Sequence, residues 1–268
     1  MILRKAFAFI RRSYMLQMSY KLESILRMFF MLFNILTYYF VAKLVGTAGA
    51  KYLEPYGGDY FSFVLIGIAF STYLMVSLRG FSETIRDEQM MGTLEAMLVT
   101  PTDTTTVITF SSLWSFIFAS IRVVLYLLVG IFLGVNLNNA NLLGALIILF
   151  LTVLSFSSLG MLAASFIMIF KRGDPINMMF MSTSELFGGV FFPIEVLPWW
   201  LQSISHIFPM TYSLSGMRHA LLQGYSLHDL LPEISALVIF CMILMPMSLL
   251  IIRFAVKRVK EEGTLVQY

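Results

Sequence analysis

The chain has 268 residues, of which 59% are hydrophobic and only 12% charged, and its mean hydropathy is +0.84. Soluble domains carry about 25% charged residues, so this composition excludes a soluble enzyme and offers no basic surface for nucleic acid. The formal charge is only +3, and the single cysteine, Cys241, excludes an intrachain disulfide and any cysteine-based metal site.

The length accommodates roughly six spans of about 20 residues with short connections. No repeat and no Gly/Ser or Pro linker divides the chain, so residues 1–268 read as a single transmembrane domain. Residues 1–23 read as an amphipathic helix. Leu3, Phe7, Ile10, Tyr14 and Met18 recur at helical spacing, while Arg4-Lys5 and Arg11-Arg12 repeat seven residues apart on another face. Such a helix lies in the membrane interface with its cations toward anionic headgroups; the alternative is an ordinary basic flank to the first span. Arginines interrupt its apolar residues and no small-residue cleavage site follows, so it does not read as a signal peptide.

Span one is expected at about 24–46, followed by a Gly- and Pro-containing loop over 47–59, and span two at about 60–82. A charged island follows at 83–101, with Glu83, Arg86, Asp87, Glu88 and Glu95 in a chain that otherwise keeps charge out of most of its length. Read as a helix, it clusters Glu83, Asp87 and Glu88 on one side. Gly92-Thr93 marks a break or a close approach, and Pro101 ends the helix because it cannot donate to the backbone ladder. Span three is expected at about 106–134, an uncharged Asn-rich turn at 135–141, and span four at about 142–170. Span five starts near 176 and breaks up around Gly188-Gly189 and Pro193; span six is about 232–254. Cys241 lies in that last apolar run and reads as a packed residue.

Lysine and arginine set the orientation. Fourteen fall on one side of these spans and three on the other, leaving Arg122 inside span three. The asymmetry predicts that both termini and the 83–101 helix are cytoplasmic, which requires an even number of spans. Residues 188–231 then fall outside. They are too apolar for a solvated loop and too broken by Pro193, Pro198 and Pro209 for a span. Irregular backbone at membrane depth persists only where protein or a water cavity covers it. The expectation is a re-entrant helical hairpin with Trp199 and Trp200 in the interfacial belt; a pair of short helices lying on the surface is the alternative.

Two ordered patterns resemble the ABC-2 type transporter permeases. The first is Arg86-Asp87-Glu88, Gly92-Thr93-Leu94-Glu95, Leu98 and Thr100-Pro101, like the segment between the second and third spans of that family. The second is Phe191–Ile194, Leu197-Pro198, Trp200-Leu201, Ile204, Pro209 and Thr211-Tyr212, continued by Met217–Leu221. The resemblance covers nearly the whole chain. It implies that 83–101 is a coupling helix seated in a cleft of a separate ATP-hydrolysing subunit. Glu83, Arg86, Asp87, Glu88 and Glu95 would be contact candidates, with Gly92 and Thr93 shaping the helix. It further implies an N-terminal helix that supports the ATPase, and an outer gate formed by the segment carrying Pro193, Pro198, Trp199, Trp200, Pro209 and Tyr212. Two copies of the chain would pair with two ATPase subunits in a bacterial or archaeal plasma membrane, the ATP and Mg being held by the partner. The connector FKRGDPINMM is closest to drug-export and nodulation-factor-export permeases, which implies an amphipathic or lipid-like cargo, with a lipid-linked glycan as the runner-up.

Two charged residues fall deep within spans, away from their ends: Arg122 near the middle of span three and Glu185 about halfway along span five. A charge at such depth should face protein or water. The two would form a structural pair, or line the translocation route. His206, His219 and His228 are scattered over the outer segment without metal spacing. The chain has no G-x-x-x-x-G-K-[ST] phosphate loop, no nucleophile–base set and no metal signature, so neither catalysis nor a cofactor is expected on it. A six-span ion-coupled carrier or channel is the rival; it explains Arg122 and Glu185 but leaves the charged helix unexplained.

Overall fold

A computed structural model describes residues 2–19, 21–46, 50–90, 104–170 and 174–261, and among them every regular element is helical. The order is α1 (Ile2–Ser19), α2 (Lys21–Val45), a short α3 (Ala50–Leu53), α4 (Tyr60–Met90), α5 (Thr104–Phe132), α6 (Leu142–Phe170), α7 (Asp174–Phe187), α8 (Trp199–Ser205), α9 (Pro209–Arg218) and α10 (Leu231–Glu261). Single 3₁₀ turns occupy Glu54–Tyr56 and Ile194–Val196, and one π turn, His219–Gln223, extends α9.

Among the described residues, five helices are long and apolar enough to cross a membrane: α2, Tyr60–Gly80 of α4, Leu113–Phe132 of α5, Leu142–Ile167 of α6 and Leu231–Arg258 of α10. The expected fifth span begins as α7, which has only 14 residues. At 1.5 Å per residue that is about 21 Å, short of a hydrocarbon core of about 30 Å. The sequence stops it. Gly188 packs so closely on α9 that a Cβ there would lie 2.5 Å from Met210 Cγ, and Gly189 turns the chain with φ +76°.

Helix α4 is the centre of the bundle. Phe63, Val64, Leu65, Ile66, Ala69, Tyr73 and Leu74 are all buried, and α4 packs on α2, α5, α6, α7 and α9. By contrast α2 buries only Met31 and Ile35 and presents Leu22, Ile25, Phe29, Phe33 and Phe40 outward. The most extensive helix pair is α6 with α10. Ser155, Ser158, Gly160 and Ala164 are buried on α6, where small side chains allow close approach. Ser155 Oγ lies 3.1 Å from Cys241 Sγ, so the lone thiol is an inter-helix contact.

Helix α1 packs on α5 and α2. Tyr14 meets Trp114 edge-on at 5.3 Å and Phe9 meets Phe110 at 6.3 Å, while Phe7 of the expected apolar stripe remains 66% exposed.

Between α7 and α10 the chain makes two short helices with opposite surroundings. Pro198 precedes α8, whose Trp199 and Trp200 are exposed. Pro209 opens α9, and eight of its ten residues are buried against α4, α6, α7 and α10. Thr211 Oγ1 donates to the Ser205 carbonyl at 2.6 Å, joining the two helices. The π turn ends at Gly224, with φ +67°; a Cβ there would sit 2.1 Å from the Asn139 carbonyl oxygen. The uncharged 135–141 turn is fastened to it, because Asn141 N donates to Ala220 O at 2.8 Å and Asn141 Nδ2 to Tyr225 O at 2.7 Å.

Candidate functional site

Three places on this scaffold carry polar chemistry: a cavity within the spans, a clamp around α9, and the far end of α4.

The cavity, about 360 Å³, lies between α2, α4, α5 and α7. Its polar lining comes from Arg27, Asn34 and Tyr38 at helical spacing on α2, Arg122 and Tyr126 at helical spacing on α5, the adjacent Ser71 and Thr72 on α4, and Glu185 from α7. Residues i, i+4, i+7 and i+11 share one helix face, so α2 and α5 each turn a polar stripe inward. Ser71 and Thr72 donate to the Ile68 carbonyl at 2.9 and 3.3 Å, leaving their lone pairs free to accept. Arg27 is paired with Glu23 one turn earlier. The two charges that the sequence reading placed within spans, Arg122 and Glu185, therefore border one cavity. They are not an ion pair: among the described residues, neither the Arg122 guanidinium nor the Glu185 carboxylate has a salt-bridge or hydrogen-bond partner. Arg122 lies within electrostatic reach of Tyr126 and Arg27, and Glu185 within reach of Tyr38. An arginine at mid-span costs roughly 2.5–3.5 kcal/mol on insertion scales, which this contact set does little to offset.

The clamp is built on Arg218, at the end of α9 and only 2% exposed. Its Nε and Nη2 donate to the Phe63 carbonyl at 3.2 and 3.1 Å, and Nη2 also to the Val190 carbonyl at 3.1 Å. The guanidinium carbon sits 3.4 Å from the Phe63 ring centroid, a cation–π contact. Gly67 makes room for this arrangement, since a Cβ there would lie 2.3 Å from Val190 O and 2.8 Å from Arg218 Nη2. Arg218 thus fastens α9 to α4 and to the chain leaving α7. Burial lowers its pKa, with Tyr56 and Glu195 acting against that; an arginine stays charged at neutral pH regardless.

Beside the clamp, His219 stacks on Tyr56 at 5.4 Å and on Tyr225 at 4.6 Å. Its Nδ1 lies 2.8 Å from Glu233 Oε1, which also accepts from Ser215 Oγ at 3.1 Å. Glu233 Oε2 is buried and has no hydrogen-bond partner among the described residues. Tyr56 donates to Glu195 Oε1 at 3.1 Å, and burial, reinforced by Glu195, pushes its phenol pKa up so that it remains a donor. Tyr56, Glu195, Ser215, His219 and Glu233, with His206 and Tyr212, border a second cavity of about 300 Å³. Among the described residues no three His, Cys, Asp or Glu side chains are placed to hold a metal ion.

The predicted outer residues distribute around this region. Pro193 and Pro209 are buried, Pro198, Trp199 and Trp200 are exposed, and Tyr212 contacts the rings of His206 and Phe240 at 5.9 and 6.0 Å. The clamp itself was missed. In sequence, Arg218 and His219 belonged to the Met217–Leu221 continuation of the second pattern, and His219 was one of three scattered histidines, with no partner named for either. Their partners Phe63, Val190 and Glu233 lie far along the chain, so spacing gave no signal. The stripe Arg27, Asn34 and Tyr38 did carry one, at i, i+7 and i+11 in an apolar run.

The third place is the end of α4. The helix does not stop at its apolar limit near Gly80 but runs unbroken to Met90. Glu83 is exposed there, and Arg86, Asp87 and Glu88 belong to the same helix. Gly92, Thr93 and Glu95 lie outside the described residues.

The sequence matches the ABC-2 type transporter family over residues 4–222. A relative from Cyanophora paradoxa, named "Putative transport permease ycf38", is 29% identical over 170 residues; the match spans 60% of this chain and 56% of the relative's length. A family match over most of the chain, on a bundle with five span-length apolar helices, settles the assignment: the chain belongs to the ABC-2 type transporter family.

Proposed function

We propose that this chain is the membrane permease subunit of an ATP-driven exporter, moving an amphipathic or lipid-like molecule out of the cytoplasm or the inner leaflet. The observation that carries the reading is α4. Its packed core half continues as one helix into a charged half carrying Glu83, Arg86, Asp87 and Glu88. Ten residues past Gly80 correspond to about 15 Å of helix. That is a lever: a push on the charged end moves the helix on which α2, α5, α6, α7 and α9 all pack. The 83–101 stretch would serve as the coupling helix of a separate ATPase subunit, which supplies the ATP and Mg chemistry.

In this reading α7 and the chain leading to α10 complete a sixth crossing. The α8–α9 segment re-enters the membrane near the outer face, a placement supported by the burial of α9 and the exposure of Trp199 and Trp200. Both termini lie in the cytoplasm of a bacterium or archaeon, as the distribution of lysine and arginine predicts. Two copies pair with two ATPase subunits, and the exposed apolar face of α2 meets lipid or the second copy. The outer segment, held by Arg218, gates release. A lipid-linked glycan is the alternative cargo.

Glu88→Arg is the test. It reverses charge at the proposed ATPase contact, and the expected outcome is ATP hydrolysis that no longer drives export while the bundle stays folded. Normal export by this variant contradicts the reading. Arg122 and Glu185, unpaired in one cavity, favour an ion-coupled carrier as second reading; uptake or efflux in vesicles driven by an ion gradient alone, without any ATPase, would establish it instead.

A further inference from the structure

We propose that the cavity between α2, α4, α5 and α7 is a headgroup site, selecting amphipaths whose head joins an acidic group to an ammonium or hydroxyl. Four observations point there. Arg122 stands at the tenth position of the 20-residue apolar stretch Leu113–Phe132, the middle of the span, and no described residue pairs with it. A guanidinium offers a planar fork of donors that matches a carboxylate or phosphate. Glu185 borders the same space, and no described residue pairs with its carboxylate, so the head that satisfies Arg122 meets a carboxylate that needs a donor. Arg27 borders the space too, already offset by Glu23.

The remainder of the lining is divided as an amphipath requires. Asn34, Ser71 and Thr72 offer hydrogen bonds, and Phe30, Ile68, Met75 and Phe191 offer apolar surface. The volume of about 360 Å³ falls in the usual range for small-molecule sites, about 300–1,000 Å³. It accommodates a head and the first carbons of a chain, with the remainder of the chain lying along the exposed apolar side of α2. A purely cationic amphipath does not fit this charge arrangement, because it would leave Arg122 unsatisfied and add a second positive charge beside it.

The proposal rests on the permease reading only in treating the occupant as cargo. Binding to the chain alone needs no ATPase, so its failure and a failure of the ATPase partnership are separate results. The experiment measures binding of radiolabelled dodecyl phosphate and dodecyl phosphoethanolamine to the full chain in nanodiscs of neutral lipid. Dodecyltrimethylammonium and inorganic phosphate serve as competitors. The expected result is that both phosphate amphipaths bind and phosphoethanolamine binds better. Arg122→Gln weakens both by about tenfold or more, Arg122→Lys retains part of the affinity, and Glu185→Gln abolishes the preference for phosphoethanolamine. Equal competition by inorganic phosphate overturns the amphipath assignment, and stronger competition by dodecyltrimethylammonium overturns the charge assignment. Unchanged affinity in folded Arg122→Gln overturns the site. Folding is read from helical circular dichroism and monodisperse elution. Should Arg122→Gln not fold, Glu185→Gln decides, and an unaltered preference in that variant overturns the proposal.

Discussion

Arg218 is retained in a buried position because its Nε and Nη2 groups have backbone targets and its face lies on an aromatic ring. Two backbone carbonyls and one aromatic face receive the guanidinium, and Gly67 leaves the notch through which it reaches them. Removing it would strand the Val190 carbonyl and leave the Phe63 carbonyl only its bond within α4. An unsatisfied buried acceptor costs about 1–3 kcal/mol, so Arg218→Met is expected to destabilise the bundle by roughly 2–5 kcal/mol. The measurement is the thermal unfolding midpoint in detergent, and an unaltered midpoint would count against the clamp. Gly67→Ala fills the notch from the other side. Because the opposing atom is the Val190 backbone oxygen, which cannot swing aside as a side chain does, the substitution is expected to cost about 1–3 kcal/mol and to lower the same midpoint. None of this was legible in the sequence. Residues 63, 67, 190 and 218 come from three separate elements, and only packing brings them together. The neighbourhood of Arg122 and Glu185 was partly legible. Depth along a helix placed Arg122 and Glu185 near one another, but the rotation of each helix about its axis decides whether side chains touch, and packing sets that rotation. Hence they share a cavity without pairing.

At the scale of elements, hydropathy was the dependable signal because it is local. Helix α6 occupies the expected 142–170, and α2, α5 and α10 start within a few residues of expectation. The end of α7 just before Gly188-Gly189 was legible too, since glycine acts on its own backbone. The continuity of α4 was less so: residues 83–90 read as part of a connector, and they belong to the same helix as span two. That continuity carries a prediction. Thr84→Pro removes a backbone donor and kinks the helix between its packed and charged halves, at a cost of about 3 kcal/mol. Span packing lies upstream of the break, so the variant is expected to fold and reach the membrane. Transport per ATP hydrolysed should fall, and an unchanged ratio would show that α4 does not transmit the motion.

For the whole molecule, orientation and partnership go together. The charged end of α4 can meet a soluble ATPase only if it is cytoplasmic, and the excess of lysine and arginine on that side predicts that it is. A fluorescent-protein fusion at the C-terminus is expected to fluoresce, and a periplasmic phosphatase fused there to be inactive; the reverse pattern would invert the topology. The central claim is tested most directly by co-purification. The tagged chain is expressed with candidate phosphate-loop ATPases from its own genome, alongside a version in which Glu83–Pro101 is replaced by a neutral helix. The account predicts a stable complex with ATPase activity for the native chain and loss of the complex for the replacement. A native chain that binds no such ATPase, or a complex that survives the replacement intact, would contradict it.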